Sequence, residues 1–182
     1  MYSFRNDYSE GAHPKVLQAL ADTNLRQTVG YGMDPCCQAA ADTIRRLCAA
    51  PDAAVHFLVG GTQVNLVTID AFLQSYEAVV AAQTGHVSTH ETGAIEATGH
   101  KVCTVESPDG KLTPALVESV LAGHNGTEHM VLPRMVYISD TTEIGTVYTR
   151  AELAALRQCC DVHGLFLYLD GARLGSALTS PD

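Results

Sequence analysis

Apolar residues along the chain fall into two alternating patterns. One recurs every three or four positions, as on a helix face, and the other runs unbroken for four or five residues, as in a strand covered on both sides. Asp34-Pro35 marks a helix start, with Asp as cap and Pro in the first turn, and Ala40, Ile44, Leu47 and Cys48 follow at helical spacing. His56-Phe57-Leu58-Val59 predicts a short buried strand ended by Gly60-Gly61. Thr62 is placed to cap the next helix, whose inner face is Leu66, Ile69, Phe72 and Leu73. Ala78–Ala82, Val102–Val105, Met135–Ile138 and Leu165–Leu169 predict four further strands. Thr113-Pro114 opens a helix followed by Gly123, and Thr149-Arg150-Ala151-Glu152 spells a capping box for a helix that ends at Gly164.

Unbroken apolar strands separated by amphipathic helices imply an α/β fold: three layers, α/β/α, around a mostly parallel sheet. Ligands bind such sheets at the carboxyl ends of the strands. Four places follow a predicted strand: Gly60-Gly61-Thr62, the segment from His86 to Glu91, Asp140 to Glu143, and Asp170 to Arg173.

Composition narrows the class. The chain has 182 residues, 46% of them apolar, enough for a buried core. Its formal charge of −9, without a basic patch, argues against nucleic acid or an anionic membrane as partner. No apolar run reaches bilayer length, and Met1 to Asp7 lacks the apolar core of a signal peptide. Cys36, Cys37, Cys48, Cys103, Cys159 and Cys160 include two adjacent pairs and no CxxC spacing, which fits reduced thiols in a cytoplasmic protein. Asn125-Gly126-Thr127 matches a glycosylation sequon and reads as a chance match in a turn.

Each candidate site admits two readings. Gly60, Gly61 and Thr62 ahead of a helix suit either a phosphate, through close backbone approach and free amides, or a tight turn with a Thr cap. Asp170 at the end of an apolar strand suits a buried cation such as a protonated ring nitrogen, and Arg173 suits a carboxylate or phenolate; alternatively the two neutralise each other. His86 and His90 have the i, i+4 spacing of a zinc pair but lack an evident third ligand, so no metal is expected. An imidazole there can also stack on a planar ring or move a proton. His129, just before the fourth strand, could serve similarly, whereas His13, His56, His100, His124 and His163 read as structural or solvent-facing.

The order of these features resembles a known family. Phe4-Arg5-Asn6-Asp7, Val29-Gly30-Tyr31-Gly32, Gly60-Gly61-Thr62-Gln63-Val64-Asn65, His90-Glu91-Thr92-Gly93-Ala94 and Leu169-Asp170-Gly171-Ala172-Arg173-Leu174 together resemble the low-specificity threonine aldolases. These are β-eliminating lyases among the fold-type I pyridoxal 5'-phosphate (PLP) enzymes. The resemblance implies an aspartate-aminotransferase-like large domain and cleavage of threonine, or a related β-hydroxy-α-amino acid, to glycine and an aldehyde. It implies Gly61 and Thr62 at the cofactor phosphate, with Gly60 beside them, and His86 stacked on the ring, with His90 as the competing register. It further implies Asp170 at the ring nitrogen and Arg173 at the phenolate side or the substrate carboxylate. His129 falls near the substrate hydroxyl, Asn6 where related enzymes often place a Ser for the carboxylate, and Tyr31 on a loop that reaches a neighbouring subunit of a homo-oligomer.

The family tethers its cofactor through a lysine, and Lys15, Lys101 and Lys111 are the only lysines present. None matches that position. Residues 1–182 are therefore expected to be an N-terminal segment plus an incomplete PLP-binding large domain, without a C-terminal small domain. A sibling β-elimination activity and a catalytically inactive fragment are the other two readings.

Overall fold

The computed structural model describes residues 3–124 and 126–180. The sequon's Asn125, and Met1, Tyr2, Pro181 and Asp182 of the chain ends cited above, lie outside the described residues. The chain divides into two compact units, Met1–Phe57 and Leu58–Asp182.

The first unit holds α1 (Pro14–Thr23) and α2 (Pro35–Leu47). Asp34 caps α2 as expected, its Oδ1 accepting from the amides of Cys36 and Cys37 at 2.9 and 3.0 Å. The apolar residues at helical spacing, Ala40, Ile44, Leu47 and Cys48, are exposed, and Ala41 is the buried residue of α2. On α1, Val16, Leu17 and Leu20 are exposed too.

The second unit begins with α3 (Gly61–Phe72) and continues through β1 (Glu77–Ala82), α4 (His86–Thr89), α5 (Ala94–Ala97) and β2 (Lys101–Val105). Then come α6 (Pro114–Gly123), β3 (Leu132–Ser139), α7 (Arg150–His163), β4 (Phe166–Asp170) and α8 (Leu174–Ala177). The four strands form one parallel sheet in the order β2-β1-β3-β4. A fifth strand at His56–Val59 was expected and does not form. A strand exists only where another takes its backbone groups; this segment pairs with none among the described residues, and Val59 is 94% exposed.

Side chains alternate across the sheet and build a core on each face. Val80, Ala82, Val136 and Ile138 pack with Val117, Leu156, Cys159 and Cys160 of α6 and α7. Val79, Ala81, Met135 and Tyr137 pack with Ile69 of α3, Leu73 and Ile95 of α5. Helices thus cover both faces, the expected three layers. Of the predicted inner face of α3, Ile69 and Leu73 are buried and Leu66 partly so, while Phe72 is 53% exposed and meets Phe166 edge to face at 5.2 Å.

Local chemistry fixes the ends of these elements. The Thr149–Glu152 capping box is complete, with Thr149 N donating to Glu152 Oε2 at 2.8 Å and Glu152 N to Thr149 Oγ1 at 3.2 Å. Gly164 closes α7 at φ +65°, the left-handed region that favours glycine. Gly85 turns the chain from β1 into α4 so tightly that an added Cβ would stand 3.0 Å from the Ala82 carbonyl oxygen. That turn brings His86 directly to the carboxyl end of β1.

Candidate active site

The site lies at the carboxyl ends of the parallel strands, on the face covered by α3. By alternation Tyr168 and Asp170 of β4 point to the same side as Tyr137 of β3, its register partner being Tyr168. The two tyrosine rings lie 5.5 Å apart.

Asp170 sits on this face, partly buried, and its carboxylate is firmly held. Tyr137 Oη donates to Oδ2 at 2.7 Å, Asn65 Nδ2 donates to the same oxygen at 3.1 Å, and the Ala172 amide donates to Oδ1 at 3.0 Å. A carboxylate can accept about four hydrogen bonds, so Oδ1 keeps one acceptor position. Burial, and then the Asp170 charge, push the Tyr137 phenol far up, so it stays a donor. Tyr168 is pushed up to about 12, by burial first and then by Asp170.

Asn65 links Asp170 to a second carboxylate. The same Nδ2 donates to Glu91 Oε1 at 2.5 Å, while Asn65 Oδ1 accepts from Tyr168 Oη at 2.7 Å. Glu91 Oε1 also contacts His86 Nδ1 at 2.7 Å. The Glu91 side chain is 0% exposed and that of His86 34%. Glu91 Oε2 is buried without a partner, a state that costs about 1–3 kcal/mol or more for a polar group. One connected network therefore runs His86–Glu91–Asn65–Asp170–Tyr137, with Tyr168 attached.

The structure places the expected site residues unequally. His86 and Asp170 share this network. His90 ends α4, is exposed, and lies with its ring 5.6 Å from that of His86. Among the described residues the His86–His90 pair gathers no third metal ligand; the ligand types that do converge are Glu118, Cys159 and His163, on α6 and α7. Arg173 pairs with Glu143 at 3.6 Å. Gly60 caps α3 from an extended backbone and Gly61 is its first residue. Thr62 is therefore inside the helix rather than its cap. A Cβ at Gly60 or Gly61 would meet nothing within 4 Å, so the first turn of α3 opens onto free space.

His129, expected near the substrate hydroxyl, stands away from this network. It precedes β3, and in a parallel sheet a residue before a strand sits at the amino end, away from the site. About 25 Å of strand lies between it and the end of β3. Asn6 and Tyr31 belong to the first unit. Asn6 Oδ1 accepts locally from Tyr8 N and Ser9 Oγ, and Tyr31 is fully exposed at φ +62°.

The lysines are elsewhere in the second unit or in the first. Lys101 opens β2 at its amino end, Lys15 belongs to α1, and Lys111 Nζ is taken up by Glu152 Oε1 at 2.6 Å.

A parallel sheet sandwiched by helices is the large-domain architecture of the aminotransferase-like fold. An aminotransferase structure from Mycobacterium tuberculosis shares that fold at TM-score 0.64 and 22% identity, covering 92% of this chain and 43% of that one. Residues 4–182 match the family model for beta-eliminating lyases, and the chain belongs to that family. It is 37% identical over 176 residues to a low specificity L-threonine aldolase of Pseudomonas sp. (strain NCIMB 10558), covering 96% of this chain and 50% of that protein. A structure of Leishmania major threonine aldolase superposes at TM-score 0.97 with 57% identity, over 100% of this chain and 53% of that one. The chain spans about half the length of the relatives it matches.

Proposed function

We propose that this chain carries the cofactor-binding half-site of a PLP-dependent lyase that cleaves threonine, or a related β-hydroxy-α-amino acid, to glycine and an aldehyde. The observation that carries the reading is Asp170. A partly exposed carboxylate with an open acceptor position, held by three hydrogen bonds, suits a protonated ring nitrogen. The residues present also suit the rest of the group: the open first turn of α3, at Gly61 and Thr62, would take the phosphate, and His86 would cover the ring.

Bound PLP supplies an electron sink for the bond that breaks. The chain's own residues do the rest. Asp170 would keep the ring nitrogen protonated, and the Tyr137 phenol holds Asp170 in place. His86, with a third of its side chain in solvent, would orient the ring and offer an imidazole to the β-hydroxyl proton, with His90 as the neighbouring candidate. Arg173, paired with Glu143, would serve the phenolate side or the substrate carboxylate. The exposed apolar residues of α1 and the exposed Tyr31 support a further copy of the chain as partner, in a homo-oligomer. Lys15, Lys101 and Lys111 all stand away from this network, so none of them would tether the cofactor.

The test is a titration of the protein with PLP, followed by absorbance, and an assay of acetaldehyde, 2-oxobutyrate and pyruvate release from amino acids. Saturable binding that Asp170→Ala abolishes supports the half-site. Acetaldehyde from threonine supports the aldolase assignment, whereas 2-oxobutyrate from threonine, or pyruvate from tyrosine or tryptophan, supports a β-elimination. Binding that is unaffected by loss of Asp170 would sink the reading.

A further inference from the structure

Glu91 is not accounted for by the reading above. It makes contacts through Oε1 alone, at 2.5 Å from Asn65 Nδ2 and 2.7 Å from His86 Nδ1. Its Oε2 is buried with no partner. As a device for stability this is poor, because a carboxylate without exposure and with half its head idle is costly. Such groups persist where they set the state of a neighbour.

We propose that Glu91 is a positioning residue: it holds the proton of neutral His86 on Nδ1, leaving Nε2 as an acceptor, and Asn65 yokes that pair to Asp170. The hydrogen-bond inventory leads there. Oε1 faces two nitrogens, and one of them, Asn65 Nδ2, can only donate. The orientation of the Asn65 amide is itself determined. Its other end accepts from Tyr168 Oη, and the reverse orientation would set Oδ1 against two carboxylates. An oxygen that accepts from Asn65 on one side accepts from Nδ1–H on the other. The bond made by one ring nitrogen decides the state of the second, so His86 presents Nε2 with its lone pair free.

Asn65 extends the same control to the opposite end of the site. One nitrogen donates both to the carboxylate behind His86 and to Asp170 Oδ2. The imidazole that would cover the ring and the acid that would meet the ring nitrogen are thus set by a single amide on α3. The use of Nε2 as proton acceptor from a substrate hydroxyl rests on the function proposed above; the proton position on His86 does not.

The experiment is nitrogen NMR of the protein labelled with ¹⁵N-histidine, at a pH above imidazole titration, with His86 assigned through His86→Gln. A free histidine side chain in water favours Nε2–H. The expected spectrum shows the reverse, with Nδ1 in the protonated pyrrole-like range and Nε2 in the downfield pyridine-like range. Nε2–H on His86 in the unaltered protein overturns the proposal without any variant. Glu91→Leu removes the acceptor and should return His86 towards Nε2–H; a spectrum still purely Nδ1–H overturns the role of Glu91. Asn65→Ala should mix the two forms, and an unchanged His86 overturns the yoke. Parallel PLP titration separates the two ideas. Absent PLP binding with Nδ1–H intact counts against the half-site alone, and PLP binding with Nε2–H counts against this proposal alone.

Discussion

Asn65 on α3 and Asp170 at the end of β4 are 105 positions apart and joined by a 3.1 Å hydrogen bond from Nδ2 to Oδ2. The bond ties the helix that opens at Gly61 to the strand that ends in the acid. It follows that the charge on Asp170, rather than its shape, should matter for a cationic ring nitrogen. Asp170→Asn keeps an oxygen for Asn65 and Tyr137, so the fold should survive. PLP affinity should nonetheless fall by about tenfold or more, since an opposite charge at contact distance shifts protonation by about one to three pKa units. Titration by absorbance measures this, and equal affinity in the variant would exclude an ion pair at Asp170.

Tyr137 and Tyr168 offer a matched comparison. The Tyr137 hydroxyl donates to a carboxylate at 2.7 Å, and the Tyr168 hydroxyl donates to a neutral amide at the same distance. Hydrogen bonds to charged groups contribute about 1.5–3 kcal/mol against about 1 kcal/mol for neutral ones. Partial exposure of Asp170 lets water replace part of the loss, so Tyr137→Phe should cost about 1.5 kcal/mol and Tyr168→Phe about 1 kcal/mol. Urea unfolding followed by circular dichroism reads both. A larger loss for Tyr168→Phe would count against an ionised Asp170.

Much of the second unit was legible because its signals are local. The Thr149–Glu152 box, Gly164, Thr113-Pro114 and four apolar strands each depend on a handful of neighbouring residues. The network was not legible. Asn65, Glu91, Tyr137 and Tyr168 are ordinary in their local windows, and only the β3–β4 register and the turn at Gly85 bring them together. Asn65 and Glu91 did stand inside the motifs that carry the family resemblance, and a polar residue at a core position of α3 was the available signal. His56–Val59 failed for the opposite reason: its apolar run was real, but strand formation is decided by a partner. His129 could have been rejected beforehand, since a residue that precedes a parallel strand belongs at the sheet's amino end.

Gly164 makes a sharp stability prediction. It sits at φ +65°, and an added Cβ would approach the Arg134 guanidinium to 3.1 Å, a group that already donates to the Gly164 carbonyl. Gly164→Ala should cost about 1–2 kcal/mol from the left-handed backbone alone. Gly123, the last residue of α6, has no neighbour within 4 Å at the Cβ position and no positive φ. Gly123→Ala should be neutral or stabilising by up to about 1 kcal/mol. Thermal unfolding of the two variants should move the melting point in opposite directions or move only the first.

Glu152 gives the protein an acid-sensitive contact. The hydrogen bond from Lys111 first, and that from the Thr149 amide second, hold its carboxyl below the ordinary value of 4.5. A carboxyl lowered in the folded state adds stability above its unfolded value, and that stability is lost as pH falls through the lower folded value. The side chain is 38% exposed, so screening keeps the contribution under about 1 kcal/mol. Glu152→Gln retains the capping geometry, because Gln serves a capping box as well as Glu does, but it removes the charge facing Lys111. At neutral pH and low salt the variant should melt slightly below the parent. Below pH 4.5 the two curves should converge, as the parent loses what the variant never had. Asp109 is lowered as well, chiefly by the Lys111 amide, and remains in the variant, so the acid slope should shrink without vanishing. Melting temperatures across that pH range decide it: parallel curves would mean that the Lys111–Glu152 charge pair contributes nothing to stability.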